Sequence, residues 1–144
     1  MYTGFLHLHD TLRWLLLLSL VTTLVKYLMG WFGNQQWKKT DNLMGIIFTS
    51  LMDIQLLVGL VLYFFLSPIT KLAFNDFGDA MKNPDLRFYA VEHLFMMLIA
   101  VVLVHIGRAK SKKAVTDAGK FRIATIFFGL ALVIMLAAIP WSRL

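Results

Sequence analysis

The sequence predicts an all-α integral membrane protein, a four-helix up-and-down bundle forming one domain over residues 1–144, with both termini on the same, outer face. Three observations predict it. Hydrophobic residues make up 59% of the chain and mean hydropathy is +0.72, above the roughly 45–50% apolar content of soluble domains. The apolar residues gather into four stretches, each near the roughly 20 residues that a helix needs to cross a bilayer. The basic residues gather between those stretches. Helices are the expected form, because an open strand leaves its backbone N–H and C=O groups unpaired in lipid.

The first span covers about residues 11–32, with a start as early as Thr3. No Lys or Arg precedes it and no small-residue cleavage site follows, so it is expected to be a retained span, not a cleaved signal. A short link with Lys38 and Lys39 leads to the second span, about 43–66. The longest link, 67–87, carries the turn residues Pro68, Asn75, Gly78, Asn83 and Pro84. Its middle, 69–81, is mildly amphipathic and predicts a short interfacial helix. The third span covers about 88–107. The basic link 108–120 leads to the fourth, about 121–141.

Charge orients the bundle. Arg13, Lys71, Lys82, Arg87 and Arg143 fall on the face that holds the N-terminus. Lys26, Lys38, Lys39, Arg108, Lys110, Lys112, Lys113, Lys120 and Arg122 fall on the other. Nine against five predicts that the second face is cytoplasmic, in a bacterial inner membrane. The net charge of +6 is thus accounted for by loops, and no nucleic-acid partner is expected. Trp14, Trp31, Trp37 and Trp141 lie near span ends, where an aromatic belt places them, and Lys26 is placed to snorkel outward. The absence of cysteine excludes disulfides, thiolate haem ligation, covalent c-type haem attachment and iron–sulfur clusters.

Ionisable residues inside a span are costly and mark candidate function. His9 opens span 1 and His93 opens span 3, both at the N-terminal face and at similar depth. That is an arrangement for two histidines to hold one haem iron between helices of a bundle. Met96 and Met97 are alternative ligands. His7 is two residues from His9, so only one of the pair can face the bundle, and His9 shares a face with Arg13. Arg13 could pair with Asp10, Glu92 or Asp53, or bind a carboxylate of the haem. Asp53 lies near the middle of span 2 with Gln55 two residues on, and Glu92 has Arg13 and Arg87 as candidate partners. His105 sits beside the basic loop with no second histidine nearby, and reads as an interfacial residue meeting headgroups. No catalytic constellation is present: there is no nucleophile–base pair, no H-E-x-x-H and no phosphate-binding Gly-rich loop.

Several stretches resemble short bacterial membrane proteins of the Bacteroidetes type labelled cytochrome b. They are Met1-Tyr-Thr-Gly-Phe-Leu-His-Leu-His-Asp-Thr-Leu-Arg-Trp14, Gln55-Leu-Leu-Val-Gly-Leu-Val-Leu-Tyr63, Arg87-Phe-Tyr-Ala-Val-Glu-His-Leu-Phe-Met-Met97, His105-Ile-Gly-Arg-Ala-Lys-Ser-Lys-Lys113 and Ile139-Pro-Trp141. The resemblance spans nearly the whole chain. It implies b-type haem and electron transfer. It also implies a polar core of His9, Arg13, Glu92 and His93, with His105 belonging to it.

The expected function is a membrane cytochrome with one haem b, bound by His9 and His93 with Arg13 beside it. It would carry electrons in a respiratory or quinone-linked chain, with the bilayer, a quinone or another redox membrane subunit as partners, alone or as an oligomer. The alternative is a haem-free subunit of a respiratory or transport assembly. There His9, Arg13, Asp53, Glu92 and His93 would form a buried network for packing or proton relay.

Overall fold

The computed structural model describes residues 1–141; Arg143, counted above on the outer face, lies outside them. All regular structure among the described residues is helical. Helix α1 (Tyr2–Phe32) is followed by α2 (Lys39–Val61), which widens into a π turn at Leu62–Leu66. Three short helices follow: α3 (Pro68–Asn75), α4 (Phe77–Ala80) and α5 (Pro84–Arg87). A second π turn, Phe88–Glu92, leads into α6 (His93–Lys113), and α7 (Asp117–Ala138) ends the bundle.

Four helical segments, Tyr2–Phe32, Lys39–Leu66, Pro84–Lys113 and Asp117–Ala138, are long and apolar enough to cross a membrane. The protein is an all-α, four-helix membrane bundle, as its sequence predicts. The helices overrun the predicted spans at their polar ends. Arg108 to Lys113 stay helical because the backbone ladder needs no apolar side chains and Lys and Arg are good helix formers. Side chains stop the fraying. Thr116 accepts from the Gly119 N–H at 2.9 Å to start α7, and Asn83 accepts from Asp85 at 3.0 Å to start α5. Ser67 caps α3, with Pro68 in its first turn.

The four long helices form a ring in the order α1, α2, α6, α7. α7 packs extensively on α6 and α1, and α1 packs on α2, whereas α2 and α6 meet only lightly. α1 and α6 therefore face each other across the bundle. The half near the α1–α2 and α6–α7 links is solid. Tyr27, Phe48, Phe121 and Phe128 are fully buried there, together with Leu20 and Val104. Gly30 and Gly107 leave room for the rings of Phe121 and Phe127, which a Cβ at either glycine would strike.

Three sequence expectations change in this half. Trp31 and Trp37 pack against the core instead of joining a belt, Trp37 lying 5.1 Å from Tyr27 and 4.9 Å from Phe121. Trp14 and Trp141 are exposed. Lys26 does not simply reach outward: its Nζ lies 2.8 Å from Oδ1 of Asp41, a side chain only 1% exposed. Asp41 also accepts from the Lys38 N–H at 2.9 Å, and its carbonyl accepts from the Tyr27 hydroxyl at 2.7 Å. A desolvated carboxylate needs such partners, and they draw Lys26 to it. Arg108 donates to Asn42 at 2.7 Å and ties α6 to the same end.

Candidate functional site

The other half of the bundle is hollow. A cavity of about 620 Å³ runs from Tyr2, Thr70 and Ile139 at the N-terminal face down to Met52, Val101 and Met135. That size falls within the range of roughly 300–1,000 Å³ typical of cofactor and ligand sites. Its walls are mostly aliphatic, with polar groups at a few places.

His9 and His93 stand on either side of it, one from α1 and one from α6. Their ring centroids are 6.4 Å apart and the rings are tilted by 60°. Neighbouring helices hold the His93 ring and the His9 backbone. Nδ1 of His93 lies 2.9 Å from the Ala138 carbonyl of α7. A carbonyl only accepts, so Nδ1 carries the proton, and Nε2 keeps the lone pair of the neutral ring. On the other side, Gln55 of α2 donates to the His9 carbonyl at 2.8 Å. Gly59, one turn further along α2, faces the His9 ring. A Cβ there would stand 3.4 Å from its Nε2. Residues four apart share a helix face, so Gln55 and Gly59 present one surface to His9.

Two buried polar atoms on the cavity wall have no hydrogen-bond partner among the described residues: Nε of Arg13 and Oε1 of Gln55. The Arg13 guanidinium lies over the Trp14 ring at 4.9 Å, and its Nη1 is 3.6 Å from Asp10. At 15% exposure its side chain is largely withdrawn from solvent. Buried donors and acceptors are normally satisfied, and these two belong to residues that line the cavity.

Both π turns lie at the mouth. The Tyr63 hydroxyl of the first donates to the Ala90 carbonyl of the second. π turns recur at functional sites because the widened turn re-aims side chains. Here Tyr63 lines the cavity, and the second turn ends where His93 begins. The short helices pack beneath through Ala73 and Ala80 against Ala90.

The residues singled out from the sequence separate into distinct places. His9, His93 and Arg13 share the cavity. Glu92 lies at its rim, paired with Arg87 at 2.7 Å and not with Arg13. Asp53 and His105 are elsewhere and hold each other: His105 Nε2 lies 2.6 Å from Asp53 Oδ1. His105 thus has a partner, contrary to its reading as a headgroup-facing residue. The reason is directional. Side chains tilt toward the N-terminus of their helix, so those of antiparallel α2 and α6 lean toward each other in depth. His7 is exposed at the face, as expected. Of the five residues of the alternative buried network, His9, Arg13 and His93 lie together, whereas Glu92 pairs with Arg87 and Asp53 with His105. Sequence reasoning missed Asp41 entirely. Its position three residues after Lys38, at a helix start, was the available signal.

No family model, curated protein or solved structure matches the chain.

The residues fit a haem. Two imidazoles bound to one metal at about 2 Å each have ring centres roughly 6 Å apart, close to the 6.4 Å seen. A second-shell carbonyl holds one ring, as metal-bound histidines normally require. Among the described residues no three His, Asp or Glu side chains gather to hold a bare ion. A macrocycle brings its own equatorial nitrogens and needs two.

Proposed function

We propose that the protein is a membrane-embedded b-type cytochrome that binds one haem between His9 and His93 and carries electrons in a respiratory or quinone-linked chain. The observation that carries this reading is the facing pair of imidazoles across a cofactor-sized cavity. When bound, the haem supplies a one-electron iron couple. The chain's own groups do the rest. His9 and His93 offer Nε2 from opposite helices, and the Ala138 carbonyl fixes the orientation of the second ring. Arg13, which lines the cavity, would pair with a carboxylate of the macrocycle. Met52, Met97, Leu94 and Val101 wall the cavity with apolar surface that excludes water. The excess of basic residues at the opposite end supports a cytoplasmic position for that end, in a bacterial inner membrane. The electron partner is a quinone or another redox subunit in the bilayer.

The test is a reduced-minus-oxidised visible spectrum of protein purified from haem-replete cells. The reading expects a Soret band and sharp α and β bands, lost in His9→Ala and in His93→Ala. Haem-free protein from such cells would overturn it.

A further inference from the structure

The Asp53–His105 pair is out of place for a membrane bundle. The two side chains are 49% and 48% exposed, and they lie on the outer surface of the lightly packed seam between α2 and α6. Asp53 is ten residues past Leu43, where the apolar part of α2 begins, which is about 15 Å along the helix. In a hydrocarbon layer about 30 Å thick, that is the middle. Ionisable side chains at this depth almost always face protein or a water-filled space. This pair lies apart from the cavity, and its surroundings are apolar: Ile54, Leu57, Val102 and Ile106 are all exposed beside it.

The bond between the two uses one nitrogen of His105 and one oxygen of Asp53. One ring nitrogen, Nδ1, and one carboxylate oxygen, Oδ2, remain. That remainder is self-complementary. A second copy brought up by a two-fold axis offers its Oδ2 to the first Nδ1–H, and its Nδ1–H to the first Oδ2. Each imidazole would then serve one carboxylate of each copy, and the four side chains close into a ring. A two-fold interface always sets the same patch against itself, so a patch that completes its own hydrogen bonding suits one. We infer that the α2–α6 face around Asp53 and His105 is a homodimer interface within the membrane. The inference is independent of haem binding.

The chain contains no cysteine, so single introduced thiols report without background. Ser50 lies one turn from Asp53 on α2 and Val102 one turn from His105 on α6, and both are exposed. Val133, on α7, is 65% exposed and serves as the control. Membranes carrying Ser50→Cys, Val102→Cys or Val133→Cys are treated with a short bis-maleimide. The inference expects a cross-linked species of twice the chain mass from the first two, at least fivefold above the third. Adding Asp53→Leu to the Ser50→Cys chain should cut that yield at least fivefold, in protein that still elutes as a folded monomer. Equal yields at all three positions, a product of any other mass, or no cross-link at either α2–α6 position would overturn it.

Discussion

Replacing Gly59 by alanine separates the stability of the fold from the occupancy of the cavity. Gly59 lies inside a helical segment, where alanine is favoured over glycine by about 1 kcal/mol. The new Cβ would stand 3.4 Å from His9 Nε2 and 3.6 Å from its Cδ2, which is ordinary contact distance. The haem-free protein should therefore be unharmed or slightly more stable. With a metal about 2 Å from that nitrogen, the same methyl stands in the shell the surrounding macrocycle must occupy. Overpacking of this kind costs about 1–3 kcal/mol, which is about five- to 150-fold in affinity. Titrating haem into the haem-free protein, followed at the Soret band, reads the second effect. Thermal unfolding of the haem-free protein in detergent reads the first. Haem affinity within twofold of the parent, with the stability gain present, would refute the placement of the ligand against Gly59.

Other outcomes follow from the same geometry. Arg13→Leu should weaken haem retention about tenfold while leaving the α and β bands in place, because the proposed role of Arg13 is to hold a haem carboxylate and not the iron; haem dissociation kinetics measure it. Asp41→Ala should destabilise the protein by about 2–3 kcal/mol, since it removes a helix cap and the carboxylate partner of Lys26, and thermal unfolding should show it with the spectrum unchanged. Thr116→Ala removes the Gly119 cap of α7 and should cost about 1 kcal/mol in the same assay.

The spans were legible because hydropathy is a local property: runs of Leu, Val, Ile and Phe announce themselves whatever they later touch. The facing of His9 and His93 was also legible, since two antiparallel crossings return the chain to the same depth. What could not be read was which helix lies beside which. Gln55 meets the backbone of His9, and Asp53 meets His105, across 46 and 52 residues of sequence. Neither pairing follows from spacing along one chain. The π turns were hidden for a similar reason. Phe88 to Glu92 reads as ordinary apolar helix, and the widened turn shows only where Ala90 accepts from Tyr63. Lys26 shows the limit of rules for single residues: a snorkelling lysine and one held by a buried aspartate look alike until Asp41 is placed.

The central claim is that His9 and His93 bind the same iron. The most direct measurement combines haem-to-protein stoichiometry with electron paramagnetic resonance of the oxidised protein. The account predicts one haem per chain with a low-spin signal of two nitrogen axial ligands. That signal should be lost in His9→Ala and in His93→Ala and retained in His105→Ala. A low-spin signal that survives loss of either His9 or His93, or that disappears only with His105, would contradict it.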